Sequence, residues 1–201
     1  FNRANVEFNN LQNFKEAVHD YNKAIMLDSN YIDAYFNKGL ANFNLKEFNN
    51  AISDFTKAAE LKPDYYQAHY NIGISKSNLG DFNSAIDNYT RAIELKEDYY
   101  EAFLNRGIAN SNLKNFDNAL ADYNKVIKYK PDFYPVYLRR GIIYSELKKY
   151  KSAITDFTKV IELMPENKHA YYNRAIMHIK LGRRNEACQD LKKAGALGHN
   201  N

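Results

Sequence analysis

A single cysteine, Cys188, and no tryptophan occur in 201 residues. One cysteine excludes an internal disulfide. Its small side chain on the last helix-forming stretch predicts a buried structural role rather than a reactive one. The five histidines, His19, His69, His169, His178 and His199, form no H-x-x-x-H or H-E-x-x-H pair, and with one cysteine they cannot build a zinc site. Gly73, Gly107 and Gly141 are isolated glycines, not a phosphate-binding loop. No serine, histidine and acid constellation stands out. These absences predict a chain with no cofactor, no metal and no catalytic site of its own. No run of about 18 apolar residues occurs, so no membrane-spanning helix is expected.

What is present is a period. Gly39, Gly73, Gly107 and Gly141 are 34 residues apart. Ala17, Ala51, Ala85, Ala119, Ala153 and Ala187 keep the same spacing. So do the aromatics Tyr21, Phe55, Tyr89, Tyr123 and Phe157, softening to Leu191. A fixed period of this size without insertion is the mark of a solenoid, in which each repeat packs only on its neighbours. The 17 tyrosines and 12 phenylalanines are the expected filling between helices.

With Tyr66 as position 1, the residues His69, Ile72, Gly73, Ala85, Tyr89 and Ala92, with Pro63, Pro131 and Pro165 near the ends of repeats, resemble the tetratricopeptide repeat (TPR) pattern. The resemblance covers the chain as repeats 1–31, 32–65, 66–99, 100–133, 134–167 and 168–201. It implies an all-α fold: one domain, a right-handed α-solenoid, or superhelix, of helix-turn-helix hairpins. The expected helices are 1–14 and 14–27, 33–45 and 49–61, 67–79 and 83–95, 101–113 and 117–129, 135–147 and 151–163, and 169–181 and 185–197. Phe8 and Leu11 mark the apolar side of the first. Pro135 stands near a helix start, where a missing N–H is harmless. Gly80-Asp81 supplies a helix stop and an acid at the next start. Mid-helix glycine costs about 1 kcal/mol against alanine, so these glycines imply close helix approach, and Ala51, Ala85, Ala119 and Ala153 are expected to face them. Ala175 in place of glycine predicts looser packing in the last repeat. The basic end, with Arg183, Arg184, Lys192 and Lys193, resembles a closing cap. Phe1 falls at position 4 of its repeat, so the chain is expected to begin downstream of a natural N-terminus. No charged-then-apolar leader is read. A cytoplasmic location is the expectation, with export left open.

In the family, first helices line a concave groove. Positions 2, 6, 9 and 13 share one helical face. Position 6 reads Arg3, Asn37, Asn71, Asn105, Arg139 and Asn173. Position 9 reads Val6, Leu40, Ile74, Ile108, Ile142 and Ile176. Position 13 reads Asn10, Asn44, Asn78, Asn112, Glu146 and Lys180. Asparagine is a poor helix former because its side chain competes for the backbone, and its amide both donates and accepts. A row of them can hold the backbone of an extended peptide above an apolar floor. Similar asparagine ladders bind polypeptide in the O-linked N-acetylglucosamine transferase family. Asparagine is abundant throughout the chain, however, and duplication would copy it passively. The carboxylate clamp of chaperone-binding TPR domains is broken: position 5 holds Asn2, Phe36, Tyr70, Leu104, Leu138 and Tyr172, and position 9 is aliphatic.

Two further patterns carry expectations. Position 7 is Lys38, Ile72, Arg106, Arg140 and Arg174, and position 23 is Asp20, Asp54, Asn88, Asp122, Asp156 and Asp190. The repeat with asparagine at 23 is the repeat with isoleucine at 7, which predicts that the cations bond the aspartates. The net charge of +4 divides as −4 over the first three repeats and +8 over the last three, and such asymmetry steers partners. The reading is a non-catalytic scaffold that binds an extended protein or peptide segment. Arg139, Arg140 and Lys180 would favour an acidic stretch. Nucleic acid is not expected, because aromatic and basic residues do not interleave. The alternatives are a self-associating structural module, or the substrate-binding arm of a larger enzyme such as a glycosyltransferase.

Overall fold

The structure is a computed structural model and describes residues 14–198. The expected helix 1–14, with Phe8, Leu11 and the stripe residues Arg3, Val6 and Asn10, lies outside them, as do Asn2 and His199. Eleven helices occur among the described residues: α1 (Phe14–Leu27), α2 (Ile32–Asn44), α3 (Phe48–Leu61), α4 (Tyr66–Asn78), α5 (Phe82–Leu95), α6 (Tyr100–Asn112), α7 (Phe116–Tyr129), α8 (Tyr134–Glu146), α9 (Tyr150–Leu163), α10 (Lys168–Lys180) and α11 (Arg184–Ala196). The fold is an all-α solenoid of tandem helix hairpins. The chain divides into two compact bodies between Leu113 and Lys114. In each body, helices pack on their sequence neighbours, α1 to α6 in the first and α7 to α11 in the second.

The first helix of each hairpin starts one residue earlier than expected. The residue before it, Tyr31, Tyr65, Tyr99, Phe133 or Asn167, has ψ near 80–90°. Its carbonyl already accepts a backbone N–H from three residues on, as Tyr65 does from Ala68 at 2.9 Å. The aromatic caps make no side-chain cap bond, whereas Asn167 accepts from the Ala170 N–H at 3.0 Å. At the start of α5 the Asp81 carboxylate accepts from the Ser84 N–H at 3.2 Å. Pro135 occupies the first turn of α8.

The turn inside each hairpin requires a left-handed residue. Gly80 and Gly182 supply it with φ 80° and 73°. Lys46 and Lys148 adopt it as non-glycines, with φ 61° and 57°, and bear the steric cost.

The core is built by repetition. Ala34, Ala68, Ala102, Val136 and Ala170 are buried at position 3, and the six alanines from Ala17 to Ala187 at position 20. Tyr21, Phe55, Tyr89, Tyr123 and Phe157 are the large, fully enclosed rings of the second helices. One expectation is corrected here. It is the rings, not the alanines, that lie on the glycines. A Cβ built on Gly39 would stand 2.7 Å from the Phe55 ring, one on Gly73 2.6 Å from Tyr89, and one on Gly141 2.7 Å from Phe157. An aromatic ring covers more of the neighbouring helix than a methyl and needs the glycine's absent side chain to sit flat. Where Ala175 replaces the glycine, the ring is gone, and Leu191 stands 38% exposed.

Cys188 is also corrected: it is exposed on α11. Its repeat is the last one described, so no following hairpin within 14–198 covers that helix.

Candidate functional site

The face carrying positions 2, 6, 9 and 13 remains partly open on every first helix. In the first body it joins α2, α4 and α6. Asn37, Asn71 and Asn105 are half-buried, and Asn44, Asn78 and Asn112 are exposed at the helix ends. The end asparagines share one geometry. Each side-chain amide donates an N–H to the carbonyl four residues back: Asn44 to Leu40 at 2.8 Å, Asn78 to Ile74 at 2.9 Å and Asn112 to Ile108 at 2.9 Å. A carbonyl oxygen only accepts, so in each case the amide nitrogen faces the helix and one N–H of two is used. Asn71 does the same toward Gln67 at 2.7 Å. Asn105 instead reaches into the preceding repeat and donates to the Tyr70 hydroxyl at 2.7 Å.

The aliphatic row between them is divided between core and surface. Leu40 packs on the cluster of Ala51, Phe55 and Ile72. Ile74 packs on Ala85, Tyr89 and Ala109. Ile108 is half-buried. In the second body, on α8 and α10, Ile142 is 42% exposed, Arg139, Glu146 and Lys180 are exposed, and Asn173 and Ile176 are half-buried.

The cations at position 7 do not face this stripe. Lys38 pairs with Asp54 at 2.8 Å. Arg174 grips Asp190 with Nε and Nη2 at 2.8 and 2.7 Å, and Arg140 grips Asp156 in the same way. Each also ties to the preceding repeat. Lys38 donates to Asn22 at 3.1 Å, Arg106 to Thr90 at 2.9 Å, Arg140 to Asn124, and Arg174 to Thr158 at 3.0 Å. The expected bonds to the aspartates are present for Lys38, Arg140 and Arg174. The sequence reading missed the second tie, to position 25, although Asn22, Thr90, Asn124 and Thr158 recur there every 34 residues. Arg140 is therefore engaged between helices, which corrects its placement beside Arg139 and Lys180 as a contact for an acidic partner.

Electrostatics follow from burial. Desolvation raises the pKa of Asp54, against the lowering effect of its bonds from Lys38 and Asn42. For Arg140, burial opposes the charge, but the bonds to Asp156 outweigh it and the pKa rises. For Arg174 the bond to Asp190 dominates and raises it. In the repeat where Ile72 and Asn88 stand in for such a pair, a cleft of about 320 Å³ opens beside Thr56, His69 and Lys76. His69 is half-buried there, with its pKa lowered by burial against the raising effect of the bond it donates to the Pro63 carbonyl.

No group of three or more His, Cys, Asp or Glu side chains is placed to hold a metal among the described residues. No described helix is long and apolar enough to cross a membrane.

Tandem hairpins with a glycine under a ring, paired cations between repeats and an open first-helix face define a helical-repeat protein. The tetratricopeptide repeat signature matches residues 32–65, 66–99, 100–133 and 134–167, with further matches at 7–46 and 168–194. The chain belongs to the tetratricopeptide repeat family. Solved structures agree in fold. A crystal structure of MamA superposes with a TM-score of 0.79 at 22% identity, over 83% of this chain and 91% of that one. MamA from Desulfovibrio magneticus RS-1, residues 41 to the end, gives 0.78 at 19%, over 83% and 94%. YrrB, described as a TPR protein with an unusual peptide-binding site, gives 0.77 at 20%, over 89% and 92%. No curated protein matches the chain.

Proposed function

We propose that this chain is a non-catalytic scaffold whose first-helix stripe binds an extended segment of a partner protein. Membership of a family of interaction repeats supports the general reading. The observation that carries the specific one is the stripe of α2, α4 and α6. At the same height in three successive repeats it presents an amide at position 6, an aliphatic edge at position 9 and an exposed amide at position 13. Asn37, Asn71 and Asn105 would bond the peptide backbone, Leu40, Ile74 and Ile108 would meet its apolar side chains, and Asn44, Asn78 and Asn112 would flank it. In the second body Arg139, Asn173, Ile142 and Lys180 occupy the corresponding positions, with the two cations suited to an acidic stretch. Peptide-binding by YrrB, named in its description, is in keeping with this reading.

The test uses a peptide selected for binding to the intact chain. Asn37→Ala, Asn44→Ala and Asn78→Ala remove amides that make no bond between repeats. Together they should weaken binding by about 1 kcal/mol per lost bond, read by calorimetric titration. Unchanged affinity contradicts the proposal.

A further inference from the structure

The stripe of the first body is biased in what it offers, and this bias selects a class of partner. The inference rests on the peptide-binding reading above and deepens it. Asn44, Asn71, Asn78 and Asn112 have each given one amide N–H to their own helix. None of those four bonds uses the side-chain oxygen, which has two lone pairs. Acceptors therefore exceed donors along the row. The charges lean the same way. Positions 2, 6, 9 and 13 of α2, α4 and α6 contain Asp33 and Glu101 and not one lysine or arginine. Of the first-helix cations of this body, Lys38 is bound to Asp54 and Asn22, Arg106 donates to Thr90, and Lys76 stands at position 11, off the stripe, at the cleft lined by Ile72 and Asn88.

We infer that the stripe of α2, α4 and α6 takes an extended peptide rich in lysine or arginine, whose side-chain N–H groups meet the asparagine oxygens and the Asp33 and Glu101 carboxylates. A cationic side chain is a pure donor, so it complements a row with surplus acceptors. An acidic side chain is a pure acceptor and finds neither a cation nor a matching set of free donors. Opposite charge also speeds encounter and fixes register along the repeats.

The experiment titrates the intact chain with three fluorescent peptides of equal length and the same intervening residues, carrying lysine, glutamine or glutamate at alternate positions. The lysine peptide should bind most tightly, with an advantage over the glutamine peptide that shrinks as salt is raised. Asp33→Lys with Glu101→Lys should weaken the lysine peptide by roughly tenfold and the glutamine peptide hardly at all. Asp33→Asn with Glu101→Gln should give a smaller loss in the same direction. Circular dichroism and the unfolding midpoint establish that each variant is folded. A glutamine or glutamate peptide binding as tightly as the lysine peptide overturns the inference, and so does a lysine peptide indifferent to charge reversal. In both of those outcomes peptide binding itself survives. Binding by none of the three overturns the peptide-binding reading, and this inference with it.

Discussion

Arg140 closes on Asp156 with two parallel hydrogen bonds, Nε to Oδ2 at 2.8 Å and Nη2 to Oδ1 at 2.6 Å, while its remaining nitrogen holds Asn124 of the preceding repeat. The Asp156 side chain is 3% exposed. Removing one member of such a pair leaves a buried charge uncompensated. Arg140→Met should therefore destabilise by about 3 kcal/mol. The chain itself contains the apolar alternative in Ile72 with Asn88. Arg140→Ile combined with Asp156→Asn should recover most of the loss. Urea unfolding of the two variants checks this, and equal destabilisation by the single and double variants would refute it.

The ring-on-glycine contact gives a second prediction. Gly73→Ala places a methyl 2.6 Å from the Tyr89 ring, and overpacking of this kind costs about 2 kcal/mol. Tyr89→Leu in the same chain copies the Ala175 and Leu191 pair and should make the alanine tolerable. A thermodynamic cycle over the four chains should show a favourable coupling between the two sites. Additive losses would mean that the ring does not account for the glycine.

The hairpin turns give a third. Gly80 and Lys148 occupy the same turn position with φ 80° and 57°. Lys148→Gly relieves left-handed strain, partly offset by the greater freedom of glycine in the unfolded chain, and should stabilise by about 0.5 kcal/mol. Gly80→Ala should destabilise by about 1 kcal/mol. Thermal midpoints moving in opposite directions for the two variants are the expected result.

Alkaline pH gives a fourth. Burial pushes the hydroxyls of Tyr21 and Tyr89 up to about 12, with Tyr31 adding to the first and a Ser77 bond opposing at the second. Both are neutral in the folded chain over a range where the unfolded chain ionises from 10.0. Their contribution to stability is whole below pH 10 and is lost as pH rises toward 12. Tyrosinate absorbance should thus rise in step with loss of helix in that window. Tyr89→Phe should lessen the pH dependence there, and an unchanged slope would count against the assignment.

The repeat frame was legible because the alanine leaves a record in all six repeats and the glycine in four of them at the same period. Helix bounds came within one residue, and the pairing of position 7 with position 23 could be read from the matched change to Ile72 and Asn88. Contacts that depend on reach rather than spacing were not legible. Position in a helix does not say whether Phe55 or Ala51 covers Gly39. Nor does it say that the arginines also tie to position 25, or that Asn105 turns to Tyr70 while Asn71 turns to its own helix. Cys188 was misread because exposure at the last described hairpin depends on what stacks against it, not on residue size.

The central claim is that partner contact falls on the first-helix stripe. The most direct measurement is nuclear magnetic resonance of the asparagine side-chain amides during titration of the intact chain with a bound peptide. Asn37, Asn71, Asn105, Asn44, Asn78 and Asn112 should shift together and saturably, while Asn50 and Asn83 on second helices stay still. Shifts confined to second-helix residues, with the stripe amides unmoved, would contradict the account.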